Sequence, residues 1–451
     1  MKTEIGVGLI GFGTVGTGVA RVLIENAELI RRRVGVPIKL VRIADLDITR
    51  DRGIAIPPGV LTTDIQQVLT DPRVDIVIEL MGGYDLAKRV ILDAVQRGKH
   101  VVTANKALLA VHGEEIFAAA SRQGIDLGFE ASVGGGIPVI RALMEGLAAN
   151  NIQSIYGIIN GTSNYILSRM TSEGQRFEVV LEEAKRAGYA EADPTFDVAG
   201  IDSAHKLTIM VSLAYGTPVN FKEIYTEGIT GLTPLDIAYA KEFGFTIKLL
   251  AIAKFSDGEI EARVHPTMVP SASQIAKVDG VYNAIQLVGD AVEDVVLYGR
   301  GAGSMPTGSA VVSDVMSIAR DMLKNATGRV PPSSYQPDQR RPLRMRLIGR
   351  NHVAVLHSLH GPGPARRLVS DRRSVGSLRH QYFLGVAAGT QGRADRARRD
   401  HDAYGQRTGY SERASRNQSD AVYLRTDNPD QGRGAGRMRD SFSDLDEKVV
   451  D

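Results

Sequence analysis

Glu191, Asp197, Asp202 and Lys206 are four ionisable side chains that could do chemistry together. They stand in one stretch, Glu191-Ala-Asp-Pro-Thr-Phe-Asp-Val-Ala-Gly-Ile-Asp-Ser-Ala-His-Lys206. Pro194 breaks the first part into a loop. From Gly200 the pattern turns helical, because Ala204, Leu207, Met210 and Val211 can share one apolar face. Asp202 and Lys206 then stand one above the other, four residues apart, while Glu191 and Asp197 approach from the loop. The expected result is a polar pocket in which carboxylates hold an amine, suited to a small zwitterionic substrate and a proton transfer. An isolated D-x-x-x-K pair is common and weak, so the case for chemistry depends on what else the chain holds.

The elements that must position these groups begin at the N-terminus. Ile5 to Leu9 is a short apolar strand, Gly11-Phe12-Gly13-Thr14-Val15-Gly16 follows at once, and Val15, Val19, Leu23 and Ile24 carry a helical stripe. Strand, glycine turn and helix in this order suit a dinucleotide: Gly11 for the turn, Gly13 for approach of a pyrophosphate, Gly16 for close helix–strand packing. The second strand, Ile38 to Ala44, ends at Asp45-Leu-Asp47, which could accept from an adenosine ribose and favour NAD; Arg50 and Arg52 could instead hold a 2′-phosphate. Strands at Val74–Leu80, His100–Thr103 and Ile125–Phe129 follow. Ligands gather beyond the carboxyl ends of such strands, so Lys106, just past Thr103, is placed to meet cofactor or substrate. Glu130 to Pro138 reads as a junction between domains.

Beyond it, Ile152–Ile159 alternates like a strand, and Asn160 could cap the next helix. Phe177–Ala187 is helical up to Gly188. Ile247–Ala253, Ile260–Val264, Val281–Gly289 and Val295–Gly299 suggest one mixed sheet. Arg300–Gly308 is a second glycine-rich turn, and the helix after it returns to the first domain.

Composition narrows the class. The 451 residues are 43% hydrophobic, carry a net charge of +2 and include no cysteine. Disulfides, thiolate catalysis and cysteine-ligated metals are thereby excluded, and no histidine cluster suggests zinc. No run of about 18 apolar residues suggests a membrane span. No signal peptide is evident, and a cytoplasmic protein without nucleic-acid or membrane partners is expected.

The motifs G-F-G-T-V-G, T-A-N-K, E-A-S-V-G-G-G-I-P, N-G-T-S-N-Y, E-A-D-P-T-F-D-V-x-G-x-D-x-x-x-K and G-x-G-A-G stand in one order from residue 1 to about 346. In that span the chain resembles homoserine dehydrogenase. The resemblance implies an α/β fold: a Rossmann-type dinucleotide-binding domain (residues 1–133, joined by the helix at 310–325) and an α+β catalytic and dimerisation domain with a mixed sheet (134–309). It implies the interconversion of L-homoserine and L-aspartate 4-semialdehyde with NAD or NADP, in threonine, methionine and isoleucine biosynthesis. By matching motifs, Lys206 and Lys106 are the catalytic lysines, and Glu191, Asp197 and Asp202 surround the substrate. Gly11, Phe12, Gly13, Thr14, Val15, Gly16, Lys106 and Gly303 face the cofactor. A sodium ion is implied at the domain junction, held by Glu130 and the carbonyls of Val133, Gly135 and Ile137; hard oxygen ligands suit such a cation. A homodimer or homotetramer is expected. A lysine whose pKa is lowered by desolvation and nearby cations could deliver the proton that the reaction needs. Without cysteine, a thiohemiacetal route is closed. Alternatives are another NAD(P)-dependent dehydrogenase of a small amino or hydroxy acid, or a nucleotide-sensing protein without turnover.

The last hundred residues depart from the family, many of whose members end in an ACT domain. From Leu347 to Asp451 there are seventeen arginines against one lysine, with little apolar periodicity. We expect residues 330–451 to be a linker and an irregular, unstructured tail in place of that domain. Read one base later, residues 352–373 are compatible with an apolar strand, a D-R-P-G turn and a helix start, as a frameshift would leave them.

Overall fold

The computed structural model describes residues 2–346 and, past them, only the backbone of four short strands. The first sheet is six-stranded and wholly parallel. It is built from β1 (Ile5–Ile10), β2 (Ile38–Ala44), β3 (Leu61–Thr62), β4 (Ile76–Glu79), β5 (His100–Thr103) and β6 (Leu127–Gly128), in the order β3-β2-β1-β4-β5-β6. Strand β1 is buried along its whole length, as a parallel strand covered on both faces must be. Helices α1 (Thr14–Glu25) and α2 (Ala27–Val34) link β1 to β2, and α3 (Ile65–Thr70), α4 (Asp85–Gln96) and α5 (Lys106–Gln123) link the strands from β3 to β6. Ile5, Val7 and Leu9 pack with Val19 and Leu23 of α1, whereas Val77 and Val101 belong to the core that α4 and α5 cover.

The middle of the chain carries α6 (Val139–Arg141), β7 (Ile152–Ile158), α7 (Gly161–Glu173), α8 (Phe177–Arg186), α9 (Thr195–Val198), α10 (Ile201–Tyr215), β8 (Tyr225–Thr226) and α11 (Pro234–Glu242). Then follow β9 (Phe245–Ser256), β10 (Glu259–Pro270), β11 (Tyr282–Gly289), β12 (Glu293–Arg300), α12 (Ser304–Leu323) and β13 (Arg344–Met345). The second sheet runs β12-β11-β7-β9-β10 with antiparallel neighbours, and β8 and β13 add parallel pairs to β10, so it is mixed. Strands β9 and β10 are longer than the alternation suggests. They run right up to the two-residue loop Asp257-Gly258, whose φ values of 55° and 76° suit the right-handed twist of a tight hairpin. Helix α10 is buried through residue 214 and lies against both this sheet and α5.

Three local readings need correction. The strand expected at 125–129 shortens to Leu127–Gly128. The loop after Pro194 closes into the one-turn helix α9, with the proline as its cap. The second glycine turn is only Gly301–Gly303, because α12 begins at Ser304 and takes in Gly308. Gly308 is there for a helix crossing: a Cβ on it would lie 2.8 Å from the Gly18 carbonyl carbon in α1. The helix thus returns to the first sheet earlier than read from sequence.

Past Arg346, β14 (354–358), β15 (367–371), β16 (383–384) and β17 (422–426) are strands where irregular chain was expected. Strand β17 joins β10, and β14, β15 and β16 follow outward. The rest of the expected tail, and most of the segment read as frameshifted, lies outside the described residues.

Candidate active site

The glycine turn is tight and bare. Gly11 has φ of +96°, and a Cβ on it would lie 2.5 Å from the Leu80 carbonyl oxygen; only glycine fits. A Cβ on Gly16 would lie 2.2 Å from the Gly11 carbonyl oxygen, whereas one on Gly13 would meet nothing within 4 Å. Helix α1 has no side-chain cap, so its first N–H groups remain for a ligand anion. Helix α12 also starts without one, and Ser304 Oγ donates to the Thr14 carbonyl at 2.7 Å, which puts Gly303 beside the same helix end. These residues fit a dinucleotide pyrophosphate.

Asp45 and Arg52, left as alternatives by the sequence, are joined. Asp45 Oδ2 accepts from Phe12 N at 2.5 Å, and its Oδ1 accepts from Asp47 N at 2.9 Å and Arg52 Nη2 at 3.3 Å. Arg52 also donates to the carbonyls of Phe12, Asp47 and Arg50, and its guanidinium lies 4.6 Å over the Phe12 ring.

Lys106 is the first residue of α5. A buried carboxylate fixes the turn before it: Glu79, at the end of β4, accepts from Thr103 Oγ1 at 2.7 Å and Met81 N at 2.8 Å, and Thr103 Oγ1 accepts from Asn105 N at 3.0 Å. Asn105 caps α5 by accepting from Leu108 N at 3.1 Å and donates to the Gly83 carbonyl at 2.7 Å. Burial pushes the Glu79 carboxyl up, against the hydrogen bonds it accepts.

The charged cluster closes on Asp202, in the first turn of α10. Its Oδ2 accepts from Lys206 Nζ at 2.6 Å and Asn160 Nδ2 at 2.9 Å, and Lys106 Nζ lies 3.2 Å from its Oδ1. Burial pushes this carboxyl up, but the two ammonium groups and the hydrogen bonds outweigh burial and hold it well below the usual range. Lys106 is raised, mainly by the charge of Asp202, with smaller help from Asp197 and Glu191. The Lys106 side chain is 41% exposed against 7% for Asp202, so it stands at the mouth of the pocket.

Lys206 Nζ has a second fixed acceptor, the Ile159 carbonyl at 2.7 Å. Asn160 also donates to Asp197 Oδ1 at 2.6 Å and caps α7 by accepting from Ser163 N at 2.8 Å. The sequence revealed this residue only as a cap. A hint lay in the chemistry: a buried Asp–Lys pair needs further partners for its remaining lone pairs and protons. Glu191 is exposed on the loop, and among the described residues none donates a hydrogen bond to it. Next to Lys206, His205 is buried with Phe221 4.4 Å and Phe196 6.4 Å away, and desolvation pulls its pKa down to about 4.

The residues expected to hold sodium form one buried loop. Glu130 Oε1 and Oε2 accept from Ile140 N and Arg141 N at 2.8 Å each, and burial pushes its carboxyl up. Ile137 O accepts from Val139 N, but the buried carbonyls of Val133 and Gly135 accept no hydrogen bond among the described residues. Two orphaned oxygens and a carboxylate with lone pairs to spare fit a hard cation.

A parallel nucleotide-binding sheet, with a lysine–carboxylate cluster from a second sheet closing on it, defines an NAD(P)-linked oxidoreductase. The sequence matches a particular one. Residues 11–130 fit the family model described as homoserine dehydrogenase, NAD binding domain, and residues 138–316 fit the homoserine dehydrogenase model. The homoserine dehydrogenase of Pseudomonas aeruginosa is 51% identical over 332 residues, covering 74% of this chain and 76% of that protein. That of Neisseria gonorrhoeae is 50% identical, covering 74% and 77%. The crystal structure of the Thiobacillus denitrificans homoserine dehydrogenase superposes with a TM-score of 0.75 at 50% identity, covering 78% of this chain and 81% of that one. A hyperthermophilic archaeal homoserine dehydrogenase in complex with NADPH superposes with a TM-score of 0.60 at 28% identity, covering 71% and 98%. The chain belongs to the homoserine dehydrogenase family. Among the described residues, no helix is long and apolar enough to cross a membrane.

Proposed function

We propose that Lys206 is the acid/base of L-homoserine oxidation and aspartate semialdehyde reduction in this chain. The observation that carries the reading is the arithmetic of its ammonium. A lysine has three N–H donors. Two are committed, to Asp202 Oδ2 and the Ile159 carbonyl, and among the described residues no third acceptor stands within reach. The third donor is left for a substrate oxygen. In the reducing direction Lys206 gives a proton to the oxygen of the new alcohol; in the oxidising direction it takes that proton back. The nicotinamide, when bound, supplies or accepts the hydride. Asp202 orients Lys206 and keeps a negative charge beside it. Lys106, at the mouth of the pocket, places a second positive charge where the cofactor and substrate sides meet. Glu191, exposed and without a donor among the described residues, is available for the substrate ammonium, and Asp197 is held by Asn160.

In this reading residues 1–133 with α12 (Ser304–Leu323) form the dinucleotide domain, and the stretch between them forms the catalytic domain. NADP and NAD are both accommodated: Arg52 offsets the charge of Asp45, so neither residue alone excludes a 2′-phosphate. Sodium would sit on Glu130, Val133, Gly135 and Ile137 and fix the loop between the two sheets; it takes no part in the proton transfer. Assembly as a homodimer or homotetramer and a cytoplasmic location rest on the family alone. The test is absorbance at 340 nm with homoserine and each cofactor, on the wild type and on Lys206→Ala. A variant that turns over at the wild-type rate would remove Lys206 from the chemistry.

A further inference from the structure

The two lysines of the site start from different halves of the molecule. Lys106 begins α5, which connects β5 to β6 of the first sheet; Asp202 and Lys206 lie on α10, which packs on the second. The helices touch, and at one end the Lys106–Asp202 ion pair joins them at 3.2 Å. A second connection joins the middle of α5 to the far end of α10. The chain leaving α12 crosses back over both helices. It is fixed to the end of α10 by Tyr335 Oη donating to the Ala214 carbonyl at 3.0 Å and by Leu343 N donating to Thr217 Oγ1 at 3.0 Å. From this strap Arg340 reaches across to α5. Its Nη1 and Nη2 donate to Glu114 Oε2 and Oε1 at 2.6 and 2.7 Å, a fork-to-fork pair, and Nη2 lies 3.4 Å from Ser212 Oγ of α10. The arginine side chain is 13% exposed. Such a bidentate pair fixes geometry as well as adding energy.

Glu114 lies eight residues along α5 from Lys106, roughly 12 Å at the rise of an α-helix. A helix of this length is stiff, so a rocking of α5 at Glu114 moves Lys106 at the far end. Catalytic geometry tolerates little of this, since a misplacement of about 1 Å can cost about a hundredfold in rate. We propose that Arg340 is a positioning residue: it braces α5 against α10 and so sets the Lys106–Asp202 separation during the reaction. This rests on the reading of Lys106 and Asp202 as members of the active site. Arg340 lies beyond residue 316, where the match to the family model ends, and it touches no residue of the site itself.

The experiment uses the full chain with Arg340→Ala, Arg340→Lys and Glu114→Gln, each also combined with Lys106→Ala. The readouts are kcat, the KM for homoserine and for cofactor, and the thermal midpoint. Arg340→Ala and Glu114→Gln should each lower kcat about tenfold with the midpoint nearly unchanged, and Arg340→Lys should recover part of the loss. Once Lys106 is removed, removing Arg340 should cost nothing more, because nothing is left to position. Three results would overturn the brace: an unchanged kcat, a kcat that falls only with the folded fraction, or losses that add to that of Lys106→Ala. If Lys106→Ala alone kept the wild-type kcat, the underlying reading of the site would have failed instead, and that single variant tells the two failures apart.

Discussion

The glycine turn at residues 11–16 and the charged cluster at 191–206 recognise by opposite means. The turn has no ionisable side chain; it works through bare backbone and an uncapped helix end. Its shape is set within a few residues, by Gly11 against Leu80 and Gly16 against Gly11. The cluster works through side chains whose charges are largely spent on one another, and its members come from four separate segments: Lys106, Ile159–Asn160, Glu191–Asp197 and Asp202–Lys206. The difference teaches that the cofactor half depends on space and the substrate half on charge. Substitutions should divide along the same line.

The largest effect is expected on the charged side. Lys206→Ala should lower kcat by roughly 10² to 10⁴-fold, the usual size of an acid/base contribution, with cofactor affinity nearly unchanged. Equal losses in kcat and in cofactor binding, by fluorescence titration, would break the division. Glu191→Ala should act on binding instead. Losing a charge-assisted hydrogen bond to the substrate ammonium costs about 1.5–3 kcal/mol, a tenfold or greater rise in the homoserine KM; an unchanged KM would reduce Glu191 to a surface residue.

Acid should also act on this side. The unfolded chain protonates His205 near pH 6.5, but the buried ring takes up its proton only at about pH 4. Between those values the unfolded state binds the extra proton, so stability is full above pH 6.5 and is lost as pH falls through that window. The loss by pH 4.5 is about 2–3 kcal/mol. His205→Phe should lack this part of the pH dependence, measured as the shift in urea midpoint between pH 7 and 4.5 for the two proteins.

On the glycine side, Gly13→Ala should leave stability within about 1 kcal/mol and raise the cofactor KM about tenfold, roughly 1.4 kcal/mol, since the methyl enters only the space meant for phosphate. Gly16→Ala has no such room and should instead lower the melting temperature. Equal behaviour of the two variants would show that the turn does not work by space. The smallest effect belongs to the tail: a chain ending at Arg346 should keep its kcat, because every residue placed in the site lies before that point.

How much was legible follows from the same contrast. The glycine spacing, β1 and the Asp202–Lys206 pair could be read directly, because each is local and periodic. Lys106 could be placed by the rule that ligands meet the carboxyl ends of parallel strands. Asn160 and the Ile159 carbonyl could not, because their contact with α10 bridges more than forty residues and leaves no periodic trace. Arg340 and Glu114 were invisible for the same reason. The start of α12 was misread because Gly301–Gly308 looks like a turn, whereas Gly308 is small to admit a crossing helix rather than to bend the chain.

That crossing has a consequence for how the protein is made. Strand β6 ends at Gly128, so every strand of the first sheet has been synthesised by then. One face of that sheet, with Val19 and Leu23 above it, is completed by Val311, Val315 and Ile318 of α12, and these emerge only after the whole second sheet as far as β12. At about 5–20 residues per second, the ribosome takes on the order of ten to forty seconds to cover the distance. For that time the nascent nucleotide-binding half carries an uncovered apolar face, open to chaperones or to another unfinished chain. The N-terminal half expressed alone should therefore be poorly soluble, and supplying residues 304–323 as a separate peptide should rescue it.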